Sequence, residues 1–163
     1  MTSPVFTHLD DAGHARMVDV TDKQPTVRSA TARAFVRAAP ATVAALRDGS
    51  VPKGDVLAVA RIAGIGAAKR TPELLPLAHA IGVHGARVDL EVTGDGVAIE
   101  ATVRTADRTG VEMEAITAAT VAALSVLDMV KGIDRSALIE NARVVAKTGG
   151  RSGSWTREGE GIA

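Results

Sequence analysis

Asp128 and Lys131 stand three residues apart in a stretch with helical spacing, so the carboxylate and the ammonium can meet on one face. An opposite charge holds both groups ionised, whereas partial burial pushes both toward neutral. A lysine poised in that way can deliver a proton, with the aspartate orienting it or taking a proton in turn. By spacing alone the simpler reading is a surface ion pair, worth about 0.2–0.5 kcal/mol on a helix. His79 lies in the apolar run Leu74-Leu75-Pro76-Leu77-Ala78-His79-Ala80. It reads either as a buried structural imidazole or as an acid–base group. Lys147 stands beside Gly149-Gly150, and a glycine-rich turn next to a lysine can hold phosphate through its backbone N–H groups. A flexible tail explains the same residues. Lys53 and Arg28 are further basic residues outside the helical stretches.

These groups need elements to position them. The chain from Thr109 to about Lys131 reads as one long helix, with Thr109-Gly110-Val111-Glu112 matching a capping box. At about 100° per residue, Met113, Glu114, Thr117, Val121, Leu124, Asp128 and Lys131 share a broad face, and Ala115, Ala118, Ala119, Ala122 and Ala123 line the other. Glu114 and Asp128 are fourteen residues apart, which at the helical rise is about 21 Å. One chain cannot close that distance. Two such helices packed antiparallel near Val121 would bring Glu114 of one chain toward Asp128 of the other.

Upstream, Pro40 opens a helix that ends at Asp48-Gly49-Ser50. A second helix over 55–69 carries Val56, Val59, Ala60, Ala63 and Ala67 at helical spacing, with Gly64-Ile65-Gly66 suited to close packing. Residues 88–92 and 97–103 alternate apolar and polar around Gly94-Asp95-Gly96, a β-hairpin signal. Residues 29–37 and 138–147 read as two more strands. The expected organisation is an extended arm over 1–28, a single domain over 29–150 and a flexible tail over 151–163. Helices set among antiparallel strands without regular alternation indicate an α+β domain with helices on one face of the sheet.

Composition narrows the function. The 163 residues carry 19 Lys+Arg against 19 Asp+Glu, 2% aromatic residues and no cysteine. Balanced charge excludes a generally polybasic nucleic-acid binder, and so few rings leave no base-stacking platform. Without cysteine there is no thiolate metal site and no thiol nucleophile. The N-terminal residues lack the basic start and apolar run of a signal peptide. The apolar stretch Val56 to Ala68, broken by Arg61, is too short to cross a bilayer. A cytoplasmic protein without membrane or nucleic-acid partners is expected. No Walker loop, dinucleotide fingerprint, paired-histidine zinc motif or nucleophile elbow occurs, and no metal-ligand set is expected.

Several further segments stand out along the chain. They are Met17-Val18-Asp19-Val20, Lys53-Gly54-Asp55-Val56-Leu57, Ala60-Arg61-Ile62-Ala63-Gly64-Ile65, Ala67-Ala68-Lys69-Arg70-Thr71 and Glu73-Leu74-Leu75-Pro76-Leu77. Further on come Arg108-Thr109-Gly110-Val111-Glu112-Met113-Glu114-Ala115, Asp128-Met129-Val130-Lys131 and Lys147-Thr148-Gly149-Gly150-Arg151-Ser152-Gly153. Together these segments resemble the MoaC family, the cyclic pyranopterin monophosphate synthases of molybdenum-cofactor biosynthesis, collinearly from about His8 to Trp155. The resemblance implies a ferredoxin-like α+β subunit, assembled as a homohexamer of three dimers with sites at dimer interfaces. It also implies conversion of a cyclised guanosine triphosphate, (8S)-3',8-cyclo-7,8-dihydroguanosine 5'-triphosphate, to cyclic pyranopterin monophosphate and diphosphate.

By the same resemblance Asp128 and Lys131 are catalytic. Lys53, Leu77, Ala78, His79, Glu112, Met113 and Glu114 contact substrate, and Arg28 and Lys147 are lent by the neighbouring chain. No cofactor is implied beyond a magnesium ion that can accompany the triphosphate. Where the family carries Leu-Cys-His-Pro-Leu, this chain reads Leu77-Ala78-His79-Ala80-Ile81; Leu127 and Val130 replace a tyrosine and a cysteine, and Gly66 a methionine. Two other functions fit a chain of this kind: a nucleotide-binding paralogue that regulates without turnover, and a subunit that only builds an oligomer.

Overall fold

The computed structural model describes residues 9–10 and 12–160. In chain order the elements are β1 (Thr26–Arg37), α1 (Pro40–Asp48), α2 (Val56–Ala68), α3 (Thr71–Leu74), β2 (Gly85–Val92), β3 (Gly96–Asp107), α4 (Glu112–Val130), β4 (Leu138–Thr148) and β5 (Trp155–Thr156). The sheet runs β2-β3-β1-β4-β5, and every neighbouring pair is antiparallel. The first four strands thus have the order of a ferredoxin-like α+β domain, as expected, with β5 added at one edge.

Alternation in β1 decides which face is covered. Ala30, Ala32, Ala34 and Val36 are buried, as are Val97, Ile99, Ala101 and Val103 opposite them on β3. Onto this small-residue floor α4 lays Ala115, Ala118, Ala119, Ala122 and Ala123, all fully buried. The expected alanine face is the one that packs. Alanine against alanine brings helix and sheet close, so the core is dense without aromatic rings. α2 packs beside α4 at Gly64, where an added Cβ would stand 2.8 Å from the carbonyl oxygen of Ala118 and 3.2 Å from the Cβ of Ala122. Gly66 has open space around it, so only the first glycine of the pair is a packing residue.

α4 has the length and hydropathy of a bilayer span, but its alanine face is the centre of the core and its partners are β1, β3, β4 and α2. α1 starts at Pro40 and stops at Gly49, which takes a left-handed φ of 72°. The Asp55 carboxylate caps α2 by accepting from the Ala58 N–H at 2.9 Å.

Three expectations are corrected. Thr109 does not cap α4: the helix begins after Val111, with no side-chain cap, and Glu112 and Glu114 lie in its first turn. Acidic residues there suit the positive end of the helix dipole without a capping hydroxyl. Second, β1 begins at Thr26, because Thr26, Val27 and Arg28 pair with Asp107, Ala106 and Thr105 of β3. Arg28 is therefore a strand residue; positions 1–8 of the expected arm lie outside the described residues. Third, Trp155 and Thr156 form β5 by pairing with Lys147 and Ala146. The segment after β4 is thus bound to the sheet edge through residue 156, where a flexible tail was expected.

Candidate active site

The expected site residues gather at the two ends of α4. At its C-terminal end Asp128 lies on the last turn and Lys131 at the cap. Lys131 Nζ is 2.6 Å from Asp128 Oδ1, so the side chains meet as the spacing requires. Lys53, from the turn before α2, reaches the other oxygen at 3.1 Å and donates to the Asp128 main-chain carbonyl at 2.7 Å. That carbonyl belongs to the last turn, where helical partners run out and the dipole is negative. Lys53 thus serves as a C-terminal cap and as a second cation on one carboxylate. The Lys131 ammonium first, and then Lys53, hold the Asp128 carboxyl below its ordinary range. The group is open to water: the side chains of Lys53, Asp128 and Lys131 are 45%, 57% and 67% exposed.

The N-terminal end is walled. Leu77, Ala78 and His79, from the loop after α3, face Glu112, Met113 and Glu114 across a cleft of about 420 Å³. The loop residues Thr109 and Gly110 close one side, and Val18 and Lys23 close another. His79 Nε2 lies 2.6 Å from the carbonyl oxygen of Val18. A carbonyl only accepts, so Nε2 carries the proton, and in the neutral ring Nδ1 is left as the acceptor. Glu114 is only 3% exposed. Burial raises its carboxyl above the ordinary range, and nearby Glu112 adds to the rise, while His79 opposes it. Glu114 was expected on one broad face with Leu124 and Asp128; in the first turn it is buried, whereas Leu124 and Asp128 are exposed.

A second, basic cleft adjoins the first through Gly110 and Glu112. It holds Arg28, Lys147, Thr148, Gly149 and Ser152. Lys147 Nζ is 3.6 Å from Glu112 Oε1 and 2.5 Å from Ser152 Oγ. Arg28 is fixed by donating to the carbonyls of Asp107 and Arg108, each at 3.1 Å. Gly149 and Gly150 have φ of 85° and 72°, a region that glycine alone enters without strain. A Cβ on Gly149 would strike the Val27 carbonyl at 2.2 Å, and one on Gly150 would meet the Arg28 guanidinium at 2.6 Å. The loop is pressed onto the start of β1. Lys23 and Arg28 continue the basic lining into a further hollow with Arg151 and Ser152.

Within one chain, then, Arg28 and Lys147 stand with Glu112 and His79, and Asp128, Lys131 and Lys53 stand apart. The resemblance implies that Arg28 and Lys147 come from the neighbouring chain; within one chain they line the cleft that holds Glu112, and the helical rise already set Glu114 and Asp128 too far apart to meet in one chain. Sequence reasoning did not single out Lys23, Arg151, Ser152 or the Val18 carbonyl as site groups. Arg151, Ser152 and Val18 lie inside segments that carry the family resemblance, which was the available signal. Lys23 lies in a polar stretch without period and gave none. Among the described residues no group of three or more His, Cys, Asp or Glu side chains is placed to hold a metal ion.

Comparison with known proteins gives a single family. The cyclic pyranopterin monophosphate synthase of Streptomyces coelicolor is 60% identical over 152 residues, covering 93% of this chain and 89% of that protein. That of Nocardioides sp. is 57% identical over 155 residues, covering 93% and 95%. That of Geobacter sulfurreducens is 54% identical over 155 residues, covering 94% and 97%. The sequence model described as the MoaC family matches residues 17–150, a span that contains both ends of α4, the His79 cleft and the basic cleft except for Ser152, and this chain belongs to that family.

Proposed function

We propose that this chain is a cyclic pyranopterin monophosphate synthase in molybdenum-cofactor biosynthesis, acting on a cyclised guanosine triphosphate and releasing diphosphate. The observation that carries the reading is the Asp128 carboxylate held between the ammonium groups of Lys131 and Lys53 at 2.6 and 3.1 Å. Lys131 delivers protons as the guanine-derived ring opens and is rebuilt as a pterin, and Asp128 orients it or accepts a proton. In the closing step a ribose oxygen forms a bond to the inner phosphorus. The bond to the outer two phosphates breaks, and diphosphate leaves with that electron pair. Arg28, Lys147 and Lys53 offset the phosphate charge as it redistributes. Magnesium, where present, arrives on the triphosphate as part of the substrate.

The walled clefts are the recognition half of this site. His79 and Glu114 read the base, with Leu77, Ala78 and Met113 as the apolar wall and Glu112 between base and phosphates. The chemical pair comes from a second chain, in a homohexamer of three dimers whose α4 helices run antiparallel. Two-fold pairing supports this reading because it closes the 21 Å or so between the ends of α4. The reaction takes place in the cytoplasm, where its nucleotide precursor is made. Incubating purified protein with the cyclised nucleotide tests the reading: a pterin and one diphosphate per turnover are expected. Tight nucleotide binding without diphosphate would instead make the chain a regulator, and neither binding nor turnover would leave it a structural subunit.

A further inference from the structure

The chain does not stop interacting after β5. Glu160 lies on the sheet face away from the helices, 14% exposed, and its carboxylate accepts from Arg33 of β1 at 2.9 Å and from Arg143 of β4. Arg33 also pairs with Glu100 of β3 at 2.7 Å, so the contact ties the segment to the middle of the sheet. Between β5 and Glu160, Arg157 donates its main-chain N–H to the carbonyl of Val145 and its Nε to the carbonyl of Val144, both at 2.8 Å. The Arg157 guanidinium also sits over the Trp155 ring at 5.4 Å. Trp155 in turn is the backbone partner of Lys147. Residues 149–154 are therefore a short loop pinned at both ends, and the second pin is held down by the Glu160 contacts.

That loop carries Gly149, Gly150, Arg151 and Ser152, which line the basic hollows with Lys147 and Arg28. Glu160, Arg33 and Arg143 line none of those hollows. Lys147 pairs with Ala30 of β1, whose side is the helix-covered one, and Arg33 lies on the opposite side. Any effect of Glu160 on bound phosphate must then pass through the backbone of β4, β5 and the loop between them.

We propose that Glu160 is a positioning residue that clasps residues 155–160 to the sheet and so holds the 149–154 loop in its anion-binding shape. The inference rests on the reading of the site as one for a nucleotide triphosphate. With the clasp broken, the loop opens locally and the competent fraction falls, so apparent affinity falls in proportion. A saturating nucleotide draws the loop back into place. The effect therefore falls on KM and not on kcat.

The test compares the parent chain with Glu160→Gln and Glu160→Ala. In hydrogen exchange without nucleotide, amides at 149–154 should exchange faster in the order parent, Gln, Ala, with α4 unchanged. KM for the cyclised nucleotide should rise about fivefold in Glu160→Ala with kcat within about twofold, and inorganic diphosphate should bind about fivefold more weakly by calorimetry. Unchanged exchange at 149–154 would overturn the proposal, as would faster exchange with unaltered KM and diphosphate affinity, or a fall confined to kcat. A parent chain that binds diphosphate and shows the exchange pattern but turns over no nucleotide would sink the proposed reaction and leave the clasp standing. A parent that binds neither nucleotide nor diphosphate would sink both.

Discussion

The two ends of α4 each hold a carboxylate of the expected site and tune it in opposite directions. Asp128, on the last turn, stands in water between two ammonium groups and is held in its charged form. Glu114, on the first turn, is walled off from water by the His79 loop and is pushed toward its neutral form. Ion pairing dominates where solvent can still solvate the pair, and desolvation dominates where it cannot. The N-terminal end is thus the enclosed one, and the C-terminal end leaves its charged pair open to solvent.

The largest expected effect tests the exposed end. Lys131→Ala should lower kcat by about 10²–10⁴-fold while the melting temperature stays that of the parent, because an exposed pair contributes little to stability. Asp128→Asn should lose comparably, and the double variant should lose little more, since the pair acts as a unit. Additive losses in diphosphate-release kinetics would mean that the two act at separate steps.

Next in size is a test of whether the two ends work together. Mixing Lys131→Ala chains with Lys147→Ala chains, after dissociation and reassociation, should restore about a quarter of the parental activity, through mixed dimers in which one composite site is intact. Mass spectrometry would confirm the mixing. Mixed assemblies without activity would place Lys131 and Lys147 in a single site on one chain.

A smaller effect is expected where both ends share a support. Gly64→Val puts a side chain against the backbone of α4 at Ala118 and should destabilise the fold by about 1–3 kcal/mol in urea denaturation. It should perturb both clusters together, since α2 is packed along α4. Full stability in that variant would mean that α2 can shift away without cost.

The smallest effect separates stability from recognition at the buried end. A carboxyl whose folded pKa is raised binds protons more readily in the folded state, so folding loses stability as pH rises through the unfolded pKa toward the folded one. Glu114→Gln removes that cost. The variant should melt higher than the parent at pH 7, by about 2 °C, and the gain should vanish below the unfolded pKa, where both states are protonated. Its KM for the nucleotide should rise nonetheless. A gain that persists at low pH would mean that charge is not its source.

Much of this was legible in the residues themselves. The alternation through 88–103, the alanine stripe of α4 and the proline and glycine bounding α1 come from local periodicity and backbone preference, which act over a few residues. The meeting of Asp128 with Lys131 follows from helical spacing alone, and the collinear family segments pointed to the remaining groups. What no local pattern contained was decided by packing. Lys53 reaches Asp128 only because the α1–α2 turn lies beside the C-terminal end of α4. Glu114 is buried because a loop thirty or more residues upstream folds over it. Lys23 joins the site from a segment without period, and residues 155–160 return to the sheet through ion pairs between distant positions. The sequence by itself determined which elements form and which faces they bury; the tertiary structure decided that Glu114 is buried and that Lys53 joins Asp128, because desolvation and pairing between distant residues depend on neighbours in space and not on spacing along the chain.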